Sequence, residues 1–267
     1  KKSYLFILLA VLIGSLSSCK SDFEKIRSSG DSDLLYKKAF EYYEQEEYLK
    51  AQTLFELIIS SLRGKVEAEK VYFYYAYTHY HLKKYLLSAY YFRNFANTFS
   101  NSTFREEADF MTAYSNYELS PSFRLDQTYT EKAIEEFQLF VNTYPTSKRV
   151  ERANKLIDEM RRKTEVKALY QADLYFDLKQ YQAATQSYEN MLKAFPETTN
   201  AEKIRYKMAK AAFLLAENSI YEKKEERFIQ SRKYAENFLK RFPNSSDAGE
   251  VRSFLKTSDQ QLKKVSK

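Results

Sequence analysis

The chain has 267 residues, and 43 Lys and Arg against 36 Asp and Glu give a formal net charge of +7. Only 4 Gly and 4 Pro are present, and this scarcity excludes folds that depend on many tight turns, so it favours an all-α protein. The single Cys excludes an internal disulfide. Because the basic residues alternate with acids, they indicate solvated helix faces rather than a nucleic-acid-binding stripe.

Residues 1–18 have the features of a secretory signal peptide. Two lysines precede an apolar stretch that ends at Leu16, and this stretch is shorter than the roughly 20 residues that a transmembrane helix needs. The sequence LSSC at 16–19 resembles a bacterial lipobox, which implies cleavage before Cys19 and addition of diacylglycerol and an N-acyl chain, such as palmitate, to that residue. We therefore predict a lipid-anchored protein, with residues 19–32 as a flexible tether.

Five later segments share one helical template, in which a small residue is followed by an apolar residue seven positions later. Four of the five also have a large aromatic residue four positions after the small one, and the fifth has Ala235 there. The small residues are Ala51, Ser88, Ala133, Ala184 and Ser231. These spacings lie on one face of a helix, so they predict close packing against a partner helix. The last three segments end in aromatic-Pro, where Pro stops the helix, and the Ser or Thr residues that follow are suited to cap the next one.

This repeated unit resembles the tetratricopeptide repeat, a helix pair of about 34 residues that buries its apolar face only by stacking on its neighbours. We predict an all-α fold, a right-handed tetratricopeptide-like α-solenoid of about five helix pairs with a C-terminal capping helix. The predicted parts are residues 1–18 (signal peptide), 19–32 (tether), 33–145 (N-terminal repeats with an aromatic groove) and 146–267 (C-terminal repeats and capping helix).

An aromatic pattern recurs in the first helices of three consecutive repeats, at an interval of 37 residues. The nine positions are Tyr36, Phe40, Tyr43, Phe73, Tyr77, Tyr80, Phe110, Tyr114 and Tyr117. In the tetratricopeptide register these positions point into the concave groove, so we predict a peptide-binding groove in the N-terminal repeats. The fourth repeat has Leu169, Asp173 and Phe176 at the corresponding positions, so the full pattern ends with the third repeat.

Two interpretations of this aromatic pattern remain open. Apolar stripes at helical spacing are most often core residues, because they pack against a neighbouring helix. In the first repeat, however, the helices can already pack through other residues, namely Leu35, Ala39, Ala51 and Phe55. The aromatic residues therefore exceed what packing of the helix pair requires. Surplus rings suit an extended peptide with aromatic or apolar side chains, since aromatic side chains give a large contact area at low entropic cost.

The sequence offers no arrangement of residues that indicates catalysis or metal binding. The two histidines, His79 and His81, lie two positions apart on a predicted helix and therefore point in different directions. The few glycines form no phosphate-binding loop, and Cys19 is no free nucleophile if it is acylated. We predict a protein that is not an enzyme and that needs no metal and no cofactor apart from the covalent lipid.

Four segments behind the lipobox-like sequence resemble the BamD family of outer-membrane-protein assembly lipoproteins. They are AFEYY at 39–43, EEADFM at 106–111, SP at 120–121 with LDQ at 125–127, and VNTYPTS at 141–147. The resemblance extends over nearly the whole chain after Cys19.

This resemblance implies a non-catalytic, lipid-anchored subunit on the periplasmic face of the outer membrane. It implies that the N-terminal repeats bind unfolded outer-membrane proteins, whose terminal signal typically ends in an aromatic residue. It also implies that the C-terminal repeats bind a β-barrel insertase of the Omp85 type, and it allows accessory lipoproteins as further partners. Nucleic acid is not an expected partner. The alternatives are another periplasmic tetratricopeptide lipoprotein, such as a secretin pilotin or a cell-division coordinator, and an enzyme on a helical-repeat scaffold.

Overall fold

The computed structural model describes residues 22–265, so the predicted signal peptide and Cys19 lie outside the described residues. Within this range the secondary structure is helical and contains no strand, which confirms the all-α prediction. The α-helices are α1 (Asp22–Arg27), α2 (Ser32–Glu44), α3 (Tyr48–Ile59), α4 (Glu67–His81), α5 (Tyr85–Thr98), α6 (Arg105–Glu118), α7 (Thr128–Thr143), α8 (Val150–Asp177), α9 (Tyr181–Ala194), α10 (Ala201–Glu217), α11 (Tyr221–Arg241) and α12 (Ala248–Val265). A short 3-10 turn, Ser60–Leu62, follows α3.

The chain divides into two compact units, which are described separately. Among the described residues, unit 1 comprises 22–121 and 127–157, and unit 2 comprises 122–126 and 158–265. In unit 1 each helix from α2 to α7 packs against the next one along the chain, and in unit 2 the same holds from α9 to α12. Such packing between sequence neighbours is what stacked helical repeats require. Between residues 22 and 265, no helix combines the length and the apolar character that would let it cross a membrane.

The small residues of the repeated template are the points of closest helix packing. All five of them, from Ala51 to Ser231, are fully buried. The hydroxyl of Ser88 lies 3.0 Å from that of Ser115, and the hydroxyl of Ser231 lies 3.1 Å from that of Ser258. A larger side chain would push these neighbouring helices apart, because protein cores tolerate little extra volume.

In the turns between repeats, a side-chain hydroxyl forms hydrogen bonds to the residue just before the next helix and to a carboxylate of the preceding repeat. The hydroxyl of Ser147 accepts a hydrogen bond from the backbone N–H of Arg149 (3.0 Å) and donates one to Glu106 (2.6 Å). The same double role is taken by Ser102 with Phe104 and Glu69, and by Thr198 with Asn200 and Glu165. The capping prediction therefore needs a correction, since these hydroxyls form turns just before the helices rather than bonding to the first N–H groups inside them.

Three helix pairs use the same turn between their two helices. Glu46, Lys83 and Lys179 have positive φ angles of 60°, 58° and 58°. In the second repeat the N–H of Lys84 bonds to the carbonyl of His79 and the N–H of Lys83 to that of Tyr80, which is the Schellman motif. Glycine usually takes the positive-φ position, and other residues accept a cost there of about 1–2 kcal/mol. This explains how a chain with 4 Gly makes these turns.

The predicted flexible tether contains a short helix. Helix α1 lies between residues 22 and 27, and its Phe23 and Ile26 pack against the core of unit 1. The rings of Phe23 and Tyr42 have centroids 5.7 Å apart. Two apolar residues three positions apart share one helical face, so this segment can add to the core although most of its residues are polar.

Unit 1 buries a histidine between its first two repeats. His79 is 4% exposed, and Gln52 Nε2 lies within 3.0 Å of its ring nitrogens. Lys84 Nζ in turn donates to Gln52 Oε1 at 2.9 Å. Burial, together with the nearby Lys84 charge, lowers the pKa of His79 to about 4. The imidazole is therefore neutral at physiological pH and serves as a polar core residue.

Lowering the pH from 7 to 4 is expected to destabilise the protein through His79. The imidazole pKa is about 6.5 in an unfolded chain and about 4 in the folded one. Between these values the unfolded state binds a proton that the folded state does not bind. The free energy of unfolding therefore falls as the pH falls, by about 1–3 kcal/mol. Urea unfolding at several pH values measures this loss, which is expected to be absent in His79→Gln. Parallel pH profiles for the two proteins would contradict the assignment.

Candidate binding surface

The structure separates the nine predicted groove residues into core and surface positions. Phe73 and Phe110 are 4% and 3% exposed. Phe73 packs on Phe92, Phe95 and Phe104, with ring centroids 4.6–5.8 Å apart. The other seven side chains are partly exposed, namely Tyr36, Phe40, Tyr43, Tyr77, Tyr80, Tyr114 and Tyr117. A ligand could reach these seven, whereas Phe73 and Phe110 support them from beneath.

Rings of α2 and α4 form one end of this surface. The centroid of Tyr74 lies 5.2 Å from that of Phe40 and 4.9 Å from that of Tyr43, both in edge-to-face orientation. Tyr36 extends the row, with its ring 4.9 Å from that of Phe40. Edge-to-face contacts at such distances are favourable for aromatic pairs. Helices from two repeats thus share one aromatic surface.

His81 connects the rings at the centre of the surface. Its ring stacks on Tyr48 with a centroid distance of 4.1 Å and an interplanar angle of 7°. Its Nε2 lies 3.2 Å from the hydroxyl of Tyr43, and its centroid lies 5.9 Å from that of Tyr77. His81 and Tyr74 belong to the surface although they are not among the nine predicted residues. Their spacing of seven residues, which places both on one face of α4, was the available signal.

Rings of α4 and α6 form the other end. The centroids of Tyr80 and Tyr114 are 6.1 Å apart, and those of Tyr114 and Tyr117 are 5.6 Å apart. The Tyr77 hydroxyl also donates a hydrogen bond to the carboxylate of Glu107. The aromatic surface therefore extends over the first helices of three consecutive repeats, α2, α4 and α6.

Two cations lie over the exposed rings without a carboxylate partner. The Arg152 guanidinium is 4.7 Å from the Tyr114 ring centroid, and Lys70 Nζ is 4.5 Å from that of Phe40. No ion pair of either residue occurs in the part of the chain that the structure describes. Arg149, by contrast, is paired with Glu107 at 2.8 Å. Arg152 and Lys70 can therefore meet an anionic group of a ligand.

Three tyrosines of the surface, Tyr43, Tyr77 and Tyr80, keep their phenol protons over the physiological pH range. Burial raises the pKa of Tyr43, Tyr77 and Tyr80 above the usual value for a phenol. Burial also lowers the pKa of His81, because the surrounding rings exclude water from its charged form. The charge of the surface therefore comes from its arginine, lysine and carboxylate groups, while the aromatic area between them is uncharged.

This arrangement is suited to binding a chain segment that carries aromatic or apolar side chains and a carboxylate. Aromatic faces bury apolar area, and hydroxyl groups donate to backbone carbonyls. Among the described residues, no group of three or more His, Cys, Asp or Glu is arranged to hold a metal ion. The Gln52–His79 pair lies in the core, away from solvent, so it offers no acid or base to a substrate.

Truncating a supporting ring is expected to affect stability much more than truncating an exposed one. Phe73→Ala removes a fully packed ring and is expected to lower the free energy of unfolding by about 3–5 kcal/mol. Tyr114→Ala, which changes a partly exposed ring, is expected to cost about 1 kcal/mol. Urea titrations followed by circular dichroism measure both values. Equal losses would show that Tyr114 belongs to the core and is unavailable to a ligand.

Solved structures and curated sequences were compared with the whole chain. Among solved structures, the TPR domain of P58(IPK) matches over 87% of this chain and 66% of its own, just under two thirds of its length, at 14% identity and a TM-score of 0.42. The apo form of RapI matches over 87% of this chain and 83% of its own, at 17% identity and a TM-score of 0.33. Among curated protein sequences no relative matches.

The sequence profile of one protein family matches the chain over residues 29–227. This range includes every ring of the aromatic surface and most of unit 2. The family is described as YfiO, outer membrane lipoprotein. Because the match covers well over half of the chain, the protein belongs to the YfiO family of outer membrane lipoproteins.

Proposed function

We propose that this protein is a BamD-like, non-catalytic subunit of the machinery that assembles β-barrels in the outer membrane, and that it binds segments of unfolded outer-membrane proteins. Membership in an outer membrane lipoprotein family supports the location. The observation that carries the proposal is the aromatic surface on α2, α4 and α6, with Arg152 and Lys70 over its rings. The lipid on Cys19 remains a prediction, since that residue lies outside the described residues.

The chemistry of this surface fits the end of an unfolded barrel strand. A terminal aromatic side chain would pack on the rings near Tyr114, and the terminal carboxylate would be attracted to Arg152, 4.7 Å from that ring. Preceding apolar residues, which alternate along a strand, would lie on the rings of α4 and α2. Such contacts give weak and reversible binding. A lipid anchor would then raise the local concentration of bound segments beside the membrane.

Unit 2 supports a second contact, to a β-barrel insertase of the Omp85 type. Val166, Tyr170, Leu174 and Leu178 follow one another at intervals of four residues, and they are 45–61% exposed. This spacing gives an apolar row along one face of α8, which Leu178 extends just past the last residue of the helix, Asp177. An exposed apolar row of this kind is typical of a protein-interaction site.

The loop between α6 and α7 extends this apolar row. The Phe123 ring packs on Tyr170 with centroids 5.6 Å apart, and Lys167 Nζ donates to the carbonyl of Leu125 at 2.6 Å. Leu125 itself is 60% exposed. We assign the row and this loop to the insertase contact, because an obligate partner would cover apolar side chains that water otherwise surrounds.

A peptide-binding measurement tests the proposed recognition. A labelled strand peptide that ends in Phe with a free carboxylate is expected to bind the full chain in mild detergent. Tyr114→Ala and Arg152→Gln are each expected to raise its Kd by about fivefold to tenfold, since one aromatic or charged contact is worth about 1 kcal/mol. Fluorescence anisotropy measures the change.

Three controls make this experiment specific. Tyr170→Ala removes an exposed ring from unit 2, so it is expected to leave the Kd unchanged. The same peptide with an Ala end, or with an amide in place of the carboxylate, is expected to bind more weakly. Equal binding of all three peptides, or an equal effect of Tyr170→Ala and Tyr114→Ala, would refute the assignment of this surface.

A further inference from the structure

Unit 2 contains a surface cavity that the proposed function does not use. It has a volume of about 300 Å³ and lies between α9, α10 and α11. Leu192 and Met208 contribute apolar walls, and Lys193, Arg205 and Lys233 contribute three cations. Ligand sites typically combine an apolar lining with a few converging polar groups, and this cavity has both.

The charges around the cavity are unbalanced. Glu189 is the one carboxylate that lines it, and its Oε1 accepts a hydrogen bond from the Tyr234 hydroxyl at 2.5 Å. Between residues 22 and 265, no carboxylate forms an ion pair with any of the three lining cations. The lining thus carries three positive charges against one negative charge. A cavity of this kind attracts anions.

Arg205 is the least exposed of the three cations that line the cavity. Its Nε is buried and has no hydrogen-bond partner. Burial, together with the nearby positive charge of Arg241, lowers the pKa of its guanidinium. A buried donor without an acceptor is costly, and a second cation nearby adds to that cost. An anion in the cavity would balance this excess positive charge.

The amide of Asn237 presents a further donor. Its Oδ1 accepts a hydrogen bond from Arg241 Nε at 3.2 Å, and this bond fixes which end of the amide is the oxygen. The NH2 group is therefore the end that remains for a ligand. Apart from the Glu189–Tyr234 pair, the polar side chains that line the cavity can therefore all donate hydrogen bonds to a ligand. They are the Arg205 guanidinium, the two lysine ammonium groups and the Asn237 amide.

We propose that this cavity binds a phosphate group carried on an apolar chain, as in the headgroup region of an anionic phospholipid. A phosphate has more acceptor oxygens than a carboxylate, and arginine and lysine are its usual protein ligands. Leu192 and Met208 would contact the first methylenes of the chain. The volume of about 300 Å³ suits a headgroup and the beginning of a chain, not a whole lipid. The site lies in unit 2, so it is independent of the peptide surface of unit 1.

Hexyl phosphate, inorganic phosphate and hexanoate form a matched set of probes for this site. Titration calorimetry with the full chain is expected to show saturable binding of hexyl phosphate, with a lower Kd than for either of the other two probes. Arg205→Gln and Lys233→Gln are each expected to raise that Kd at least about tenfold, since a charged hydrogen bond is worth about 1.5–3 kcal/mol. Lys240→Gln, an exposed change outside the cavity on the same helix, is expected to leave it unchanged.

Two outcomes would overturn the proposal. Unchanged hexyl phosphate binding in both cavity variants would exclude this cavity as its site. Inorganic phosphate that binds as tightly as hexyl phosphate would show a site for the free ion, and the apolar part of the proposal would fail. Lys233 is exposed, so Lys233→Gln is expected to fold even if Arg205→Gln does not. Its effect on the Kd decides the question in that case.

Discussion

The structure depends on the fact that a single helix pair cannot bury its apolar face alone. Each pair of unit 1 must pack on the next, and small buried residues such as Ala51, Ser88 and Ala133 permit the close approach that this requires. Hydroxyl groups in the turns then bond to carboxylates of the preceding repeat, as Ser147 does to Glu106. These constraints align the first helices of three repeats, and their surplus rings consequently meet in one surface.

Much of the fold could be predicted from the sequence because it is encoded locally. The template of small, large and apolar residues predicted the second helices of the repeats. The helix pairs close without glycine, since residues such as Lys83 accept positive φ angles. Helix α1 was not expected, because its short sequence is mostly polar and its two apolar residues matter only once the core of unit 1 is present.

The candidate surface was only partly predictable, since it is formed between repeats. The repeating pattern alone does not separate Phe73, which is buried by rings of α5, from Phe40, which stays partly exposed. Arg152 comes from the start of α8, far along the chain from Phe40 and the other rings of α2. Tyr74 and His81 were missed because each lies one position away from the repeating pattern. The cavity of unit 2 could not be predicted from the sequence either, because its three cations come from three different helices.

Isolation of the protein from its native membranes in mild detergent, with the bound chains identified by mass, tests the central claim most directly. The account predicts an Omp85-type barrel in near-equal amount with the native protein, and much less of it with Leu174→Glu, which places a charge in the apolar row of α8. Recovery of a secretin or of cell-wall machinery without that barrel would contradict the account, although it would leave the fold and the family assignment unchanged.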